Sequence, residues 1–70
     1  MKYLIVIEKT ATGYSAYSPD LDGCIATGST KEEVEQAMKN AIEFHLDGLK
    51  AEGQEIPPSH SYSTYLEIPA

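Results

Sequence analysis

The segment from Ser29 to Gly53 restricts the possible folds more than any other part of the chain. Val34, Ala37, Met38, Ala41, Ile42, His45 and Leu49 recur at intervals of three and four, which places them on one stripe of an α-helix. Ser29 with Glu32, or Thr30 with Glu33, forms a capping box, in which hydroxyl and carboxylate satisfy the free backbone donors of the first turn. Gly53 is suited to the left-handed residue that stops a helix, and Pro57-Pro58 forbid its resumption. Lys31 and Glu35, Glu35 and Lys39, and Lys39 and Glu43 stand four apart on the opposite face, where they can pair in solvent. A helix of about five turns therefore presents one apolar side that needs a layer to pack on.

The flanking residues supply that layer as strands. Residues 2–8, "KYLIVIE", are a β-branched and aromatic run ended by the polar "KTATG", and "YSAYSP" alternates until Pro19. Cys24 to Thr27 form a third short strand between Gly23 and Gly28. The three lie too close together for helical crossovers, so they form an antiparallel meander. Beyond the helix, "YSTYLEI" (Tyr62 to Ile68) alternates and predicts a fourth strand. The order β-β-β-α-β defines a two-layer α+β fold with an antiparallel sheet and one long helix, a single domain over residues 1–70. The first strand is apolar on both faces, with Tyr3, Ile5 and Ile7 on one and Leu4 and Val6 on the other. One helix covers one face only, so the other calls for a homo-oligomer, dimer or tetramer, or for a partner protein, the alternative being a monomer with a half-exposed sheet face.

Size and charge narrow the function. A chain of 70 residues buries a modest share of its surface, and chains this small lean on disulfides, metals or association. Cys24 is the only cysteine, so no internal disulfide exists. Eleven acidic residues against five basic ones give a net charge of −6, with no basic cluster to neutralise phosphates. Direct nucleic-acid binding is disfavoured, and a basic protein is the electrostatic match. The longest apolar run, Tyr3 to Ile7, is far too short for a membrane span or a signal-peptide core, which points to a cytoplasmic protein without membrane contact.

Asp20 and Asp22, joined by Glu8, Glu67 or Glu43, are the one set from which a magnesium-binding carboxylate cluster of a nuclease could be built. The string Pro19-Asp20-Leu21-Asp22-Gly23 fits a turn better: proline fixes φ, aspartates bond to nearby backbone amides, and glycine accepts positive φ. His45 lies on the apolar stripe and reads as a core or interface histidine, because no cysteine or second histidine stands at metal-ligand spacing. His60 follows two prolines and reads as solvated. Cys24 lacks a basic neighbour and reads as a small buried apolar side chain. No catalytic residue, metal ligand or cofactor site is assigned.

Taken in order, Gly13 to Ser59 has an aromatic strand, the loop Pro19-Asp20-Leu21-Asp22-Gly23-Cys24, the turn Gly28-Ser29-Thr30, Glu32-Glu33 in the helix, and the closing Gly53-Gln54-Glu55-Ile56-Pro57. This stretch resembles the N-terminal domain of the HicB antitoxin family. The resemblance implies a partial ribonuclease H-like fold and a non-enzymatic role: neutralising a HicA-type toxin, a small, usually basic protein that cuts messenger RNA. On that reading Asp20, Leu21 and Asp22 in the loop, with Glu8 and Glu67 at strand ends, are the expected toxin contacts. Asp22 departs from the family, which commonly has proline there. Family members often continue into a DNA-binding segment that these residues do not contain, so autorepression is not assigned to them. The other readings are a residual metal-dependent nuclease and a solitary dimeric protein-binding module.

Overall fold

The computed structural model describes all of residues 1–70. Three strands, β1 (Val6–Lys9), β2 (Tyr14–Tyr17) and β3 (Ile25–Gly28), precede one helix, α1 (Lys31–Ala51). The strands form an antiparallel meander in the order β1-β2-β3, and the helix packs against β3 and β2. This is the α+β arrangement of two layers that the sequence predicts.

The helix begins and ends where its signals stand. Thr30 is the N-cap, and its hydroxyl accepts from the Glu33 amide at 3.1 Å. The Glu33 carboxylate reaches one residue further back and accepts from the Ser29 amide at 2.9 Å. Gly53, at φ 70°, closes the other end. The Gln54 amide donates to the Leu49 carbonyl and the Gly53 amide to the Lys50 carbonyl, which satisfies two of the last free acceptors. The lysine–glutamate pairs of the outer face are not closed; the one ion pair within reach is His60 with Asp20. Those exposed side chains are held by solvent instead.

Register decides what the sheet buries. Ile7, Ala16 and Ala26 stand opposite one another, and Lys9, Tyr14 and Gly28 form the next rung on that face. Val34 and Met38 of the helix stripe close over it, and with Ala16, Leu21 and Cys24 they make the buried cluster. Gly28 allows the approach: a Cβ there would lie 2.6 Å from the Val34 amide nitrogen.

Two expectations about strands are corrected. The first strand is shorter than residues 2–8, because its neighbour turns away at Pro19, so Tyr3 to Ile5 have no ladder partner. The fourth strand does not form. Residues 62–70 are exposed and carry no secondary structure, and no hydrogen bond ties them to the rest of the molecule. Alternation is only half of a strand; the other half is a neighbour with free backbone groups alongside, and the chain does not return to its own sheet edge.

Candidate functional site

Residues 18–24 join β2 to β3 by two consecutive tight turns. The Leu21 amide donates to the Ser18 carbonyl at 3.1 Å, with Pro19 at the position where fixed φ is an asset. The Cys24 amide then donates to the Leu21 carbonyl at 3.3 Å, with Gly23 at φ 73° in the second corner. The turn reading of this loop therefore holds. Its inner side chains are part of the core: Leu21 is 1% exposed, and Cys24 is buried. Burial pushes the Cys24 thiol up from its ordinary value, so it behaves as a small apolar group. Ser18, also buried, donates its hydroxyl to the Leu4 carbonyl at 2.9 Å.

Asp20 has turned inward as well; its side chain is 1% exposed. One carboxylate oxygen accepts from the backbone amides of His60 and Ser61, each at 3.1 Å, and the other from the Ser61 hydroxyl at 2.7 Å. The Ser61 hydroxyl, then the Ser61 amide, lower the carboxyl's pKa; desolvation opposes them, and the His60 amide and ring add to the lowering. These partners lie some forty residues away, not next door as a turn aspartate's usually do. Together with the Tyr3 hydroxyl, which donates to the Pro57 carbonyl, Asp20 straps the segment after the helix across one end of the sheet. His60 is solvated as expected, its imidazole Nε2 standing 3.5 Å from the Asp20 carboxylate.

The sheet face turned away from the helix is open. Val6, Tyr17 and Ile25 stand in one rung across all three strands, and Tyr17 is 42% and Ile25 70% exposed. Glu8 stands on the same face two residues beyond Val6, in the rung with Ser15 and Thr27. At the loop end of this face lies a depression of about 340 Å³ between Tyr17, Pro19, Asp22 and Ile25. Asp22 is an exposed carboxylate there. A larger groove, about 440 Å³, runs along the outer side of β3 between Cys24 and the helix residues Ala41, Phe44, His45 and Leu49. His45 is half-buried in its wall.

The five expected contact residues thus separate. Asp22 and Glu8 are exposed on or beside the open face, Glu67 is exposed on the free tail, and Asp20 and Leu21 are occupied internally. The Asp20 side chain and Leu21, each only 1% exposed, are not free to meet a partner directly. No three histidine, cysteine or carboxylate side chains converge anywhere in the structure, so the carboxylate cluster considered for a nuclease is not assembled. The rung of Val6, Tyr17 and Ile25 was missed in the sequence; the alternation of β2 and β3 against Ala16 and Ala26 is the signal that reveals it.

An acidic α+β chain with one open sheet face has relatives. Residues 3–70 match the family described as HicB-like antitoxin of bacterial toxin–antitoxin system, and the chain belongs to that family. It is 38% identical over 69 residues to an uncharacterized 14.9 kDa protein in the rep–hol intergenic region of Haemophilus phage HP1, covering 99% of this chain and 52% of that protein. It is 30% identical over 71 residues to antitoxin HicB 2 of Photorhabdus laumondii, covering all of this chain and 51% of that antitoxin. The chain therefore spans about half the length of these two relatives. A solved structure of a HicA3 and HicB3 toxin–antitoxin complex contains a chain that superposes with a TM-score of 0.72 at 35% identity, over 84% of this chain and 70% of that one. No helix is long and apolar enough to cross a membrane.

Proposed function

We propose that this chain is the toxin-binding part of a type II antitoxin, which neutralises a basic, messenger-RNA-cleaving HicA-type toxin by covering its active site. The observation that carries the reading is the open sheet face: an apolar rung with Tyr17 and Ile25 exposed, bordered by the carboxylates of Glu8 and Asp22. An apolar centre with a charged rim is the make-up of a protein-binding surface, and the carboxylates select a basic partner and speed its encounter. Similarity to a chain of a HicA3 and HicB3 complex supports the choice of partner.

On this reading the role is non-enzymatic, and the compartment is the cytoplasm, where messenger RNA is exposed to the toxin. Glu8 and Asp22 are the acidic contacts, with Glu67 available from the tail. Asp20 and Leu21 contribute by holding the loop that carries Asp22. The antitoxin is a homo-oligomer, and the ribonuclease H-like kinship is one of ancestry, which by itself confers no activity.

The test is messenger-RNA cleavage by a purified HicA-type toxin with and without an equimolar amount of this chain. Suppression of cleavage together with a stable complex is the expected result. Undiminished cleavage at full occupancy of a complex overturns the occlusion mechanism, and absence of any complex overturns the toxin partner.

A further inference from the structure

Two features of the structure are incomplete in complementary ways. Residues 62–68 alternate as a strand does and carry Tyr62, Tyr65, Leu66 and Ile68, all strongly exposed and without a hydrogen-bond partner. At the other end of the chain β1 is an edge strand whose outer backbone groups face no neighbour. Its extension through Tyr3 to Ile5 is half-buried and unladdered. Free edges of this kind are templates for strand addition.

We propose that the tail of one copy, residues 62–68, adds to the outer edge of β1 in a second copy as its fourth strand. The exchange is reciprocal, so it closes as a symmetric dimer. It stands apart from the toxin reading and specifies the homo-oligomer. The strap made by Asp20 and Tyr3 fixes where the tail leaves the body, and beyond Ser61 the chain runs free. Charge selects the occupant. Lys2 to Lys9 hold two lysines against one glutamate in a chain whose net charge is −6, and Glu67 is the one side chain of residues 62–68 that is charged at neutral pH. Lys2 and Lys9 flank the edge, so pairing in either direction brings Glu67 toward a lysine. A basic toxin meets like charge along this edge, whereas the tail of another copy meets the opposite charge.

Sedimentation of the full chain combined with isotope-filtered NMR on a mixture of labelled and unlabelled copies tests the proposal. A dimer with contacts between tail amides of one copy and Tyr3 to Ile7 of the other is expected. Successive amides of the added strand point to opposite sides, so one of Tyr65→Pro and Leu66→Pro removes a ladder donor from each tail and should weaken the dimer roughly tenfold or more. Tyr65→Thr and Leu66→Thr, which keep the amide, should leave it dimeric, and all four should keep the helical circular dichroism of the parent. A dimer indifferent to both proline variants sinks the exchange and leaves a homo-oligomer of another kind. A monomer sinks both, and a tail that contacts only its own β1 or orders only when a basic protein is added sinks the exchange.

Discussion

Asp20 shows how one side chain can look like a contact residue and serve as a fastener. Its carboxylate accepts three hydrogen bonds from His60 and Ser61, and such bonds favour the ionised form. The carboxyl's folded-state pKa therefore lies below its unfolded value, the Ser61 hydroxyl contributing most. The stabilisation is fully present above the unfolded carboxyl pKa and is lost as pH falls through the lower folded value. The strap should hold at neutral pH and release in acid, below the usual carboxylate range. Carbon-detected titration of the Asp20 carboxyl, with the amide shifts of His60 and Ser61 followed in parallel, checks this. Coincident movement of all three is expected, and an Asp20 that titrates in the usual range with the amides unmoved contradicts it. The sequence made the turn legible because Pro19 and Gly23 act locally. It hid the fastener because its two halves are distant along the chain and joined only by folding.

At the scale of elements, the helix was fully legible and the fourth strand was not, for one physical reason. Thr30, Glu33 and Gly53 cap the helix within its own sequence, and Val34 and Met38 mark its buried side by spacing alone. A strand has no internal hydrogen bonds, so Tyr62 to Ile68 could announce a strand's pattern without revealing whose edge it meets. Between these cases stands the contact of β3 with the helix, which depends on Gly28. A methyl group there would press on backbone, the Val34 amide and its Cα, with no flexible side chain to yield. Gly28→Ala should therefore destabilise the domain by roughly 1–3 kcal/mol, the range typical of overpacking. Urea unfolding followed by helical circular dichroism measures it. In contrast Gly48→Ala, where a Cβ meets nothing, should stabilise by about 0.5–1 kcal/mol through helix propensity. Equal stability of the two variants would contradict the packing assigned to Gly28.

For the whole molecule, a six-residue buried set is a slender core for 70 residues, so association and stability are coupled: whatever binds the folded form raises its melting temperature by mass action. On the proposed function, the open face and the acidic charge make separable contributions to toxin binding. Ile25 is 70% exposed at the β3 end of the apolar rung, beside Tyr17 at its centre. Ile25→Asp should leave the unbound fold intact yet weaken toxin binding by about 2 kcal/mol or more, in the range of apolar anchor residues, with the loss in dissociation rate. Glu8→Gln and Asp22→Asn act at the rim, where screening by salt is strong. The pair should slow association at low ionic strength and flatten its salt dependence, leaving the dissociation rate nearly unchanged. Surface plasmon resonance across a salt series resolves both effects. If Ile25→Asp binds like the parent, the toxin does not sit on the open face. If the Glu8 and Asp22 variant keeps the parent's salt slope, the steering charge lies elsewhere, and the acidic outer face of the helix, with Glu35, Glu43 and Asp47 exposed, becomes the surface that draws the toxin in.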